Sequence, residues 1–381
     1  MSDRKELRVS VRNLVEFVLR CGDIDSSFGG SSRAVEGTRI HKKIQKAQSE
    51  EYSAEVTLKT TVEFEDFSLV IEGRADGIIN EKGCITVDEI KTTTMPLDSV
   101  DEDFNPVHWA QAKCYAYIHA LNENLDGINI RLTYCHLDTE EIKYLIKSFD
   151  FLELKQFFNE LVEKYYVWAK FEYDWQVKRN DSIKALNFPF ARYRKGQREL
   201  AVAVYKTIAG GKKLYVKAPT GIGKTISTLF PSVKIMGEGH ISKIFYLTAK
   251  TITRSVAQEA LSIMREKGLL IKSVTLTAKE KICFLEKANC KPEKCEYAKG
   301  HYDRINDAIM DVLAQECEIN REVIEEYAKR HRVCPFELSL DLTLWADVII
   351  CDYNYAFDPR VYLKRFFSDN GGDYAFLIDE A

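Results

Sequence analysis

The sequence predicts an α/β protein of two units, and three observations carry that prediction. Residues 54–91 alternate apolar and polar side chains and break at short polar turns, as the strands of a meander do. Residues 195–277 alternate helical and strand-like segments, as a parallel sheet covered by helices does. A strand-like stretch over 213–217 runs straight into a glycine-rich turn that opens a helix.

The chain has 381 residues, of which 45% are hydrophobic and 29% charged, and this excludes a disordered or low-complexity protein. A net charge of −4 excludes a uniformly basic nucleic-acid binder, so any such contact must come from local patches. No apolar run approaches the ~20 residues needed to cross a bilayer, and the first residues lack the apolar core of an export signal. The expected location is the cytoplasm. Ten cysteines in such a chain are expected as thiols or metal ligands rather than disulfides.

In the first unit, helical spacing marks 9–20 and 37–47, followed by strands over 54–64, 67–80 and 84–91 with turns at Glu65-Asp66 and Glu81-Lys82-Gly83. Helices over 106–121 and 149–171 follow, with further strand at 128–137 and 142–145 between them. The polar run Lys178-Arg179-Asn180-Asp181 begins a connection, dividing the chain into 1–178 and 179–381. The second unit reads as helix 195–209, strand 213–217, helix 224–236, strand 243–247, helix 252–266 and strand 273–277. The alternation stops over 278–344, an insertion, and resumes with strands over 347–351 and 374–379.

The turn after 217 reads Ala218-Pro-Thr220-Gly221-Ile-Gly223-Lys224-Thr225. Glycines at 221 and 223 let backbone N–H groups face a phosphate, aided by the positive end of the helix. Lys224 can reach the β and γ phosphates of ATP, and Thr225 can hold Mg²⁺. Ala218 stands where such loops usually carry their first glycine. The apolar run ending in Asp379 and Glu380 supplies a magnesium-water ligand followed by a base for the attacking water.

With these come Arg192-Tyr193-Arg194 and Gln197 upstream, Thr248-Ala-Lys250-Thr251, the segment from Ala346 to Pro359 with its Asn354-Tyr355 pair, and Asp379-Glu380-Ala381. Residues 188–381 resemble the first motor domain of superfamily 2 helicases of the XPD/DinG type. The resemblance implies that Arg194 and Gln197 read adenine, that Lys250 lies in a DNA-contacting motif, and that the complete motor tracks 5′ to 3′ on single-stranded DNA. The second motor domain is expected to be missing. Since such motors hydrolyse ATP between two domains, the chain is expected to bind nucleotide but turn it over poorly.

Cys283, Cys290, Cys295 and Cys334 lie in the lysine-rich insertion. Four thiolates suit tetrahedral zinc or an iron–sulfur cluster, and spacings that do not pair argue against a zinc ribbon. The XPD/DinG resemblance implies a 4Fe-4S cluster. Cys317 is expected to be a bystander inside a helix.

At the front, Asp76 and Glu89 can hold hard divalent ions, Mg²⁺ or Mn²⁺, and His41 adds a nitrogen ligand. Glu89 and Lys91 share a strand face, so Lys91 can position the attacking water or neutralise charge building on phosphorus. Gly37 to His41, Gly73 to Asp76, Glu89 to Lys91 and Gln111 to Tyr115 occur in order. They resemble the PD-(D/E)XK nucleases of the RecB/Cas4-like branch, with a restriction-endonuclease-like α/β fold, and the resemblance implies that Gln111 and Tyr115 position DNA.

The expected protein is a metal-dependent nuclease joined to an ATP-dependent iron–sulfur helicase motor, acting in DNA repair on single-stranded or tailed DNA. Arg192, Arg194, Lys195, Arg198, Lys206, Lys212, Lys213 and Lys217 make the approach to the motor basic. The alternative is a nucleotide-dependent DNA-binding adaptor with an inactive nuclease-like domain.

Overall fold

The structure, a computed structural model, describes residues 5–24, 31–219, 221–249, 251–358, 363–367 and 372–380. The chain divides into one unit of Met1–Arg20 with Phe28–Tyr173 and a second of Cys21–Ser27 with Asp174–Ala381.

The first unit contains β1 (Lys5–Ser10), α1 (Val11–Leu19), α2 (Ser31–Lys46), β2 (Tyr52–Glu63), β3 (Phe67–Glu81), β4 (Cys84–Thr93), α3 (Pro106–Glu123), β5 (Gly127–His136) and β6 (Ile142–Asp150). Its sheet runs β1-β3-β4-β5-β6, with β2 paired along β3. The meander is antiparallel, whereas β4 and β5 are parallel and joined through α3. That helix begins where Asn105 accepts the Val107 N–H ahead of Pro106 and ends at Asn124 in the left-handed region. Strand β1 lies within a segment whose sequence suggested only a helix from residue 9. Its six residues alternate too briefly to declare a strand, and pairing with β3 decides the matter.

One topological feature positions the site. β2 occupies one edge of β3, and the other edge is shared. β1 pairs with Phe67 to Glu72, and β4 pairs with Gly77 to Glu81. Between them, Gly73 to Asp76 face a notch where the strand changes neighbours. The core beneath is apolar, with Phe67, Leu69, Ile71, Ile90, Ile118, Ile130 and Leu132 all but fully buried.

The helix α4 (Phe151–Ala185) is longer than its sequence suggested. The polar run at 178–181 does not interrupt it, because Arg179 turns inward to a buried ion pair with Asp347, 2.6 Å away, and Trp175 donates to the same carboxylate at 3.0 Å.

The second unit continues with α5 (Gln197–Ala209), α6 (Lys224–Gly237), β7 (Lys243–Leu247), α7 (Thr251–Glu266), β8 (Ser273–Thr275), α8 (Lys279–Ile282), α9 (His301–Gln315), β9 (Glu318–Ile319), α10 (Arg321–His331), α11 (Pro335–Leu342), β10 (Val348–Cys351) and β11 (Tyr374–Ile378), with two further single-turn helices between the last two strands. The sheet order is β11-β7-β10-β8-β9, and every pairing is parallel. Ile226, Leu229, Val233, Met236, Leu261 and Met264 pack against Ile244, Tyr246, Val348 and Ile350. The interruption at 278–344 is the three-helix insertion α9 to α11 together with the cysteine loop, and it also lends β9 to the sheet.

One expected element is absent. Residues 212–219 are neither helix nor strand, and Tyr215 is 88% exposed. The sequence has strand composition there, but a strand exists only where it is hydrogen-bonded to a neighbour, and no described strand pairs with this segment, the outer edge of β11 included. No described helix is long and apolar enough to cross a membrane.

Candidate active site

The notch in the first sheet gathers the residues singled out above. Asp76 Oδ2 accepts the Ile90 N–H at 2.7 Å, a main-chain donor freed because the β3–β4 ladder stops at Gly77 and Asp88. Asp76 Oδ1 lies 3.7 Å from His41 Nδ1 on α2. Glu89 and Lys91 share a face of β4, and the ammonium is 2.8 Å from Glu89 Oε1 and 3.0 Å from Gln111 Oε1 on α3. Tyr115, one turn further along α3, lies against Gly73, where an added Cβ would stand 2.8 Å from the phenol oxygen. Gly73 is therefore required for α3 to close over the strand. Tyr115 is hydrogen-bonded to Gln111, and burial holds its hydroxyl in the protonated form.

Burial is the largest influence on Glu89, which is 3% exposed. It pushes the carboxyl up to about 7, with Asp76 adding to the rise and Lys91 and His41 opposing it. Glu89 Oε2 is buried and has no hydrogen-bond partner among the described residues. A buried carboxylate oxygen without a donor costs free energy unless something positive reaches it. The donor set of two carboxylates and one imidazole therefore fits a hard or borderline divalent ion. As the side chains stand, no three His, Cys, Asp or Glu among the described residues are drawn together tightly enough to grip one.

The sequence did not single out the supports of this site. On the opposite face of β4, Asp88 is fully buried and accepts from Arg131 at 2.9 Å, Thr133 at 2.5 Å and Tyr52 at 3.1 Å. Behind Lys91, His108 Nδ1 is 2.8 Å from the Tyr134 hydroxyl, and burial together with the charge of Lys91 pushes the imidazole down to about 3. Gln45 donates to the Asp76 carbonyl at 2.9 Å and to Glu55 Oε1 at 2.8 Å. A spacing of four from His41 was the only available signal, and many surface residues share such a spacing.

In the second unit, Gly221 and Gly223 adopt φ of 82° and 83°, and α6 starts at Lys224. The Arg194 guanidinium donates to the Gly221 carbonyl at 2.6 Å, and the Arg194 backbone N–H donates to Gln197 Oε1 at 2.9 Å. The Gln197 amide nitrogen would lie 2.5 Å from a Cβ at Gly223, so these two upstream residues brace the loop. Lys224 donates to the Ala218 carbonyl at 3.3 Å. The Tyr246 hydroxyl engages the side chains of both Thr225 and Asp379, which places those two together at the ends of α6 and β11. Glu380 sits in an exposed turn with φ of 59°. Thr220 and Lys250 lie outside the described residues, as do Pro359 and Ala381.

Cys283, Cys290, Cys295 and Cys334 line one cavity walled by Ile24, Phe284, Tyr297 and Phe336. Cys334 stands at the start of α11, and its N–H donates to His301 Nδ1 at 3.1 Å. Burial pushes its thiol up to about 11, so a bound metal would be needed to hold it as thiolate. Lys279 is substantially buried, yet its hydrogen bond to Cys290 keeps its pKa raised. Four thiols lining one apolar cavity have the donor chemistry of a soft metal centre, although as the side chains stand they are not drawn together into one. Cys317 lines no part of it. It lies between α9 and β9 rather than inside a helix, with its carbonyl accepting the Ser273 N–H.

Comparison with known proteins accords with both halves. Residues 23–197 match the PD-(D/E)XK nuclease superfamily, and residues 258–381 match the DEAD_2 family. The general transcription and DNA repair factor IIH helicase subunit XPD of Dictyostelium discoideum is 20% identical over 205 residues, covering 46% of this chain and 26% of that protein. Two solved structures, an XPD helicase and a truncated XPD, are 21% and 20% identical, each with a TM-score of 0.34. They are matched over 50% and 48% of this chain and over 33% and 52% of their own. The chain thus spans about a quarter of the curated relative and a third to a half of these solved chains. It joins a segment that matches the PD-(D/E)XK nuclease superfamily to a segment that matches the DEAD_2 family and is similar to XPD helicases.

Proposed function

We propose that this chain is a metal-dependent DNA nuclease joined to an ATP-binding, iron–sulfur helicase module, working on single-stranded or tailed DNA in repair. The observation that carries the nuclease half is the convergence on one notch of His41, Asp76, Glu89, Lys91, Gln111 and Tyr115, with Glu89 Oε2 buried and without a partner among the described residues. Asp76, Glu89 and His41 would hold Mg²⁺ or Mn²⁺. Such an ion, when bound, supplies Lewis-acid polarisation of a phosphodiester and an acidified water. Lys91, held between Glu89 and Gln111, offers positive charge where negative charge builds on phosphorus. Gln111 fixes that ammonium, and Tyr115, protonated and packed on Gly73, keeps α3 close enough to do so.

In the helicase half, Gly221, Gly223, Lys224 and Thr225 would cradle the phosphates of Mg-ATP, with Asp379 holding the magnesium shell and Glu380 serving as base. The four thiols around one cavity support a 4Fe-4S cluster. A second reading, a nucleotide-dependent DNA-binding adaptor, draws on the position of residues 212–219 outside the sheet, which leaves the loop without a rigid strand behind it.

The test is Mn²⁺-dependent cleavage of single-stranded and tailed DNA by the parent chain, Glu89→Ala and Lys91→Ala. Cleavage by the parent that Glu89→Ala abolishes and Lys91→Ala cuts by about 10²-fold or more supports the nuclease. No cleavage by a folded, DNA-binding parent supports the adaptor.

A further inference from the structure

We propose that Gln45 is a positioning residue for Asp76, an inference that rests on the nuclease reading above. Asp76 is released from its neighbours on both sides. Toward β4, pairing stops at Gly77. Toward β2, Ala54 pairs with Gly77 and Val56 with Ala75, but Glu55 and Asp76 between them do not pair. Glu55 there adopts a left-handed backbone, φ of 59°, which a non-glycine residue takes only where its surroundings enforce it. The residue whose carboxylate must meet the metal is thus without a register partner on either side, and a side chain holds its main chain instead. Gln45, one helical turn after His41, donates to the Asp76 carbonyl at 2.9 Å and to Glu55 at 2.8 Å. Both partners are acceptors, so the amide nitrogen faces them. Arg74 pairs with the other oxygen of Glu55 at 2.5 Å, completing a frame around the released residue.

The test is Mn²⁺ affinity, cleavage kinetics and urea unfolding of the metal-free protein for the parent and Gln45→Met, which keeps the length but cannot donate. The expected result is metal binding weakened about tenfold, as for other residues that orient metal ligands, with cleavage recovered at saturating Mn²⁺ and the unfolding midpoint unchanged. Metal binding that survives Asp76→Ala and Glu89→Ala overturns the reading of the whole site. Binding lost in those variants but equal in the parent and Gln45→Met overturns the role of Gln45 alone.

An independent observation concerns residues 21–24, which the structure assigns as a strap closing the cavity of the four cysteines. This segment follows α1, yet it belongs to the second unit. Ile24 donates to the Ala298 carbonyl at 2.9 Å, and Tyr302 donates to the Gly22 carbonyl at 2.9 Å. The Gly22 N–H reaches Asp303 at 2.8 Å, and the Gly300 N–H reaches Asp23 at 2.5 Å. These four bonds clamp the strap to the turn after Cys295 and seat the buried Ile24 as a wall of the cavity. An apolar wall limits solvent at a cluster and so its loss to oxidation.

The strap rests on the cluster reading, and the two can be told apart. After anaerobic reconstitution with iron and sulfide, iron content and the decay of visible absorbance under air and chelator are followed in the parent, Ile24→Val, Ile24→Ser, Asp23→Ala and Cys290→Ser. The expectation is a half-life about tenfold shorter for Ile24→Ser, shorter also for Asp23→Ala, and near the parent's for Ile24→Val. A parent that takes up no iron, or absorbance untouched by Cys290→Ser, overturns the cluster reading. Absorbance lost in Cys290→Ser but equally lasting in the parent, Ile24→Ser and Asp23→Ala overturns the strap.

Discussion

Asp88 and Glu89 are neighbours in the chain and opposites in environment. Asp88 is saturated by Arg131, Thr133 and Tyr52, whereas Glu89, pointing to the other face of β4, has one oxygen 2.8 Å from Lys91 and the other without a hydrogen-bond partner among the described residues. Strand alternation separates an anchor of the fold from a candidate metal ligand by a single peptide.

Changing the two carboxylates should therefore have opposite consequences. Asp88→Ala leaves the Arg131 guanidinium mostly buried beside an empty place and is expected to cost about 3–5 kcal/mol of stability, read from urea unfolding. Glu89→Ala should abolish cleavage while leaving the metal-free protein at least as stable as the parent. Equal destabilisation by both changes would count against the assignment.

The pH dependence follows from the raised pKa of Glu89. In the metal-free fold this carboxyl is protonated up to about 7, against 4.5 ordinarily, so its contribution to stability is full below 4.5 and lost as the pH rises through about 7. Glu89→Gln should flatten that decline. A divalent ion must displace the same proton, so Mn²⁺ affinity should fall about tenfold per pH unit below 7. Because Lys91 lowers the Glu89 pKa, Lys91→Met should move the onset of binding to higher pH. Titration calorimetry at several pH values measures both effects.

Lys91→Ala is expected to reduce cleavage at saturating metal and pH about 10²- to 10³-fold, the scale set by loss of one charge aimed at a transition state. Gln111→Leu, which keeps the ammonium but releases it and the Tyr115 hydroxyl, should lose less. A Gln111→Leu defect larger than that of Lys91→Ala would show that the glutamine acts on substrate directly.

Gly223→Ala should eliminate nucleotide binding, measured with a fluorescent ATP analogue. The position has φ of 83° and lies against the Gln197 amide, so a methyl group meets both backbone strain and a side chain that braces the loop. Unchanged affinity would remove the loop from the proposed function.

Cys290→Ser should abolish visible absorbance of the reconstituted protein and Cys317→Ser should leave it intact, since only the former lines the cavity. The reverse result would reassign the ligands.

Much of this protein is legible from its amino acids. The meander, the helix carrying Gln111 and Tyr115, and the alternation around Lys243 to Leu247 follow from periodicity and caps, which are local properties. The types and order of His41, Asp76, Glu89 and Lys91 are legible too, and the structure brings these residues to one notch, which supports the chemistry proposed for them. Residues 212–219 are the instructive failure. They have the composition of a strand, yet strand formation depends on a neighbour elsewhere in the chain.

What only the tertiary structure decided is where the ladders part. Strand β3 changes partners between Glu72 and Gly77, freeing Asp76 to meet Ile90, His41 and Gln45. The same folding sends Gly22 to Ile24 to the cysteine turn. Sequence spacing reports which side chains share a face of one element. Pairings between distant segments are set by the burial of both at once, and no local pattern records them.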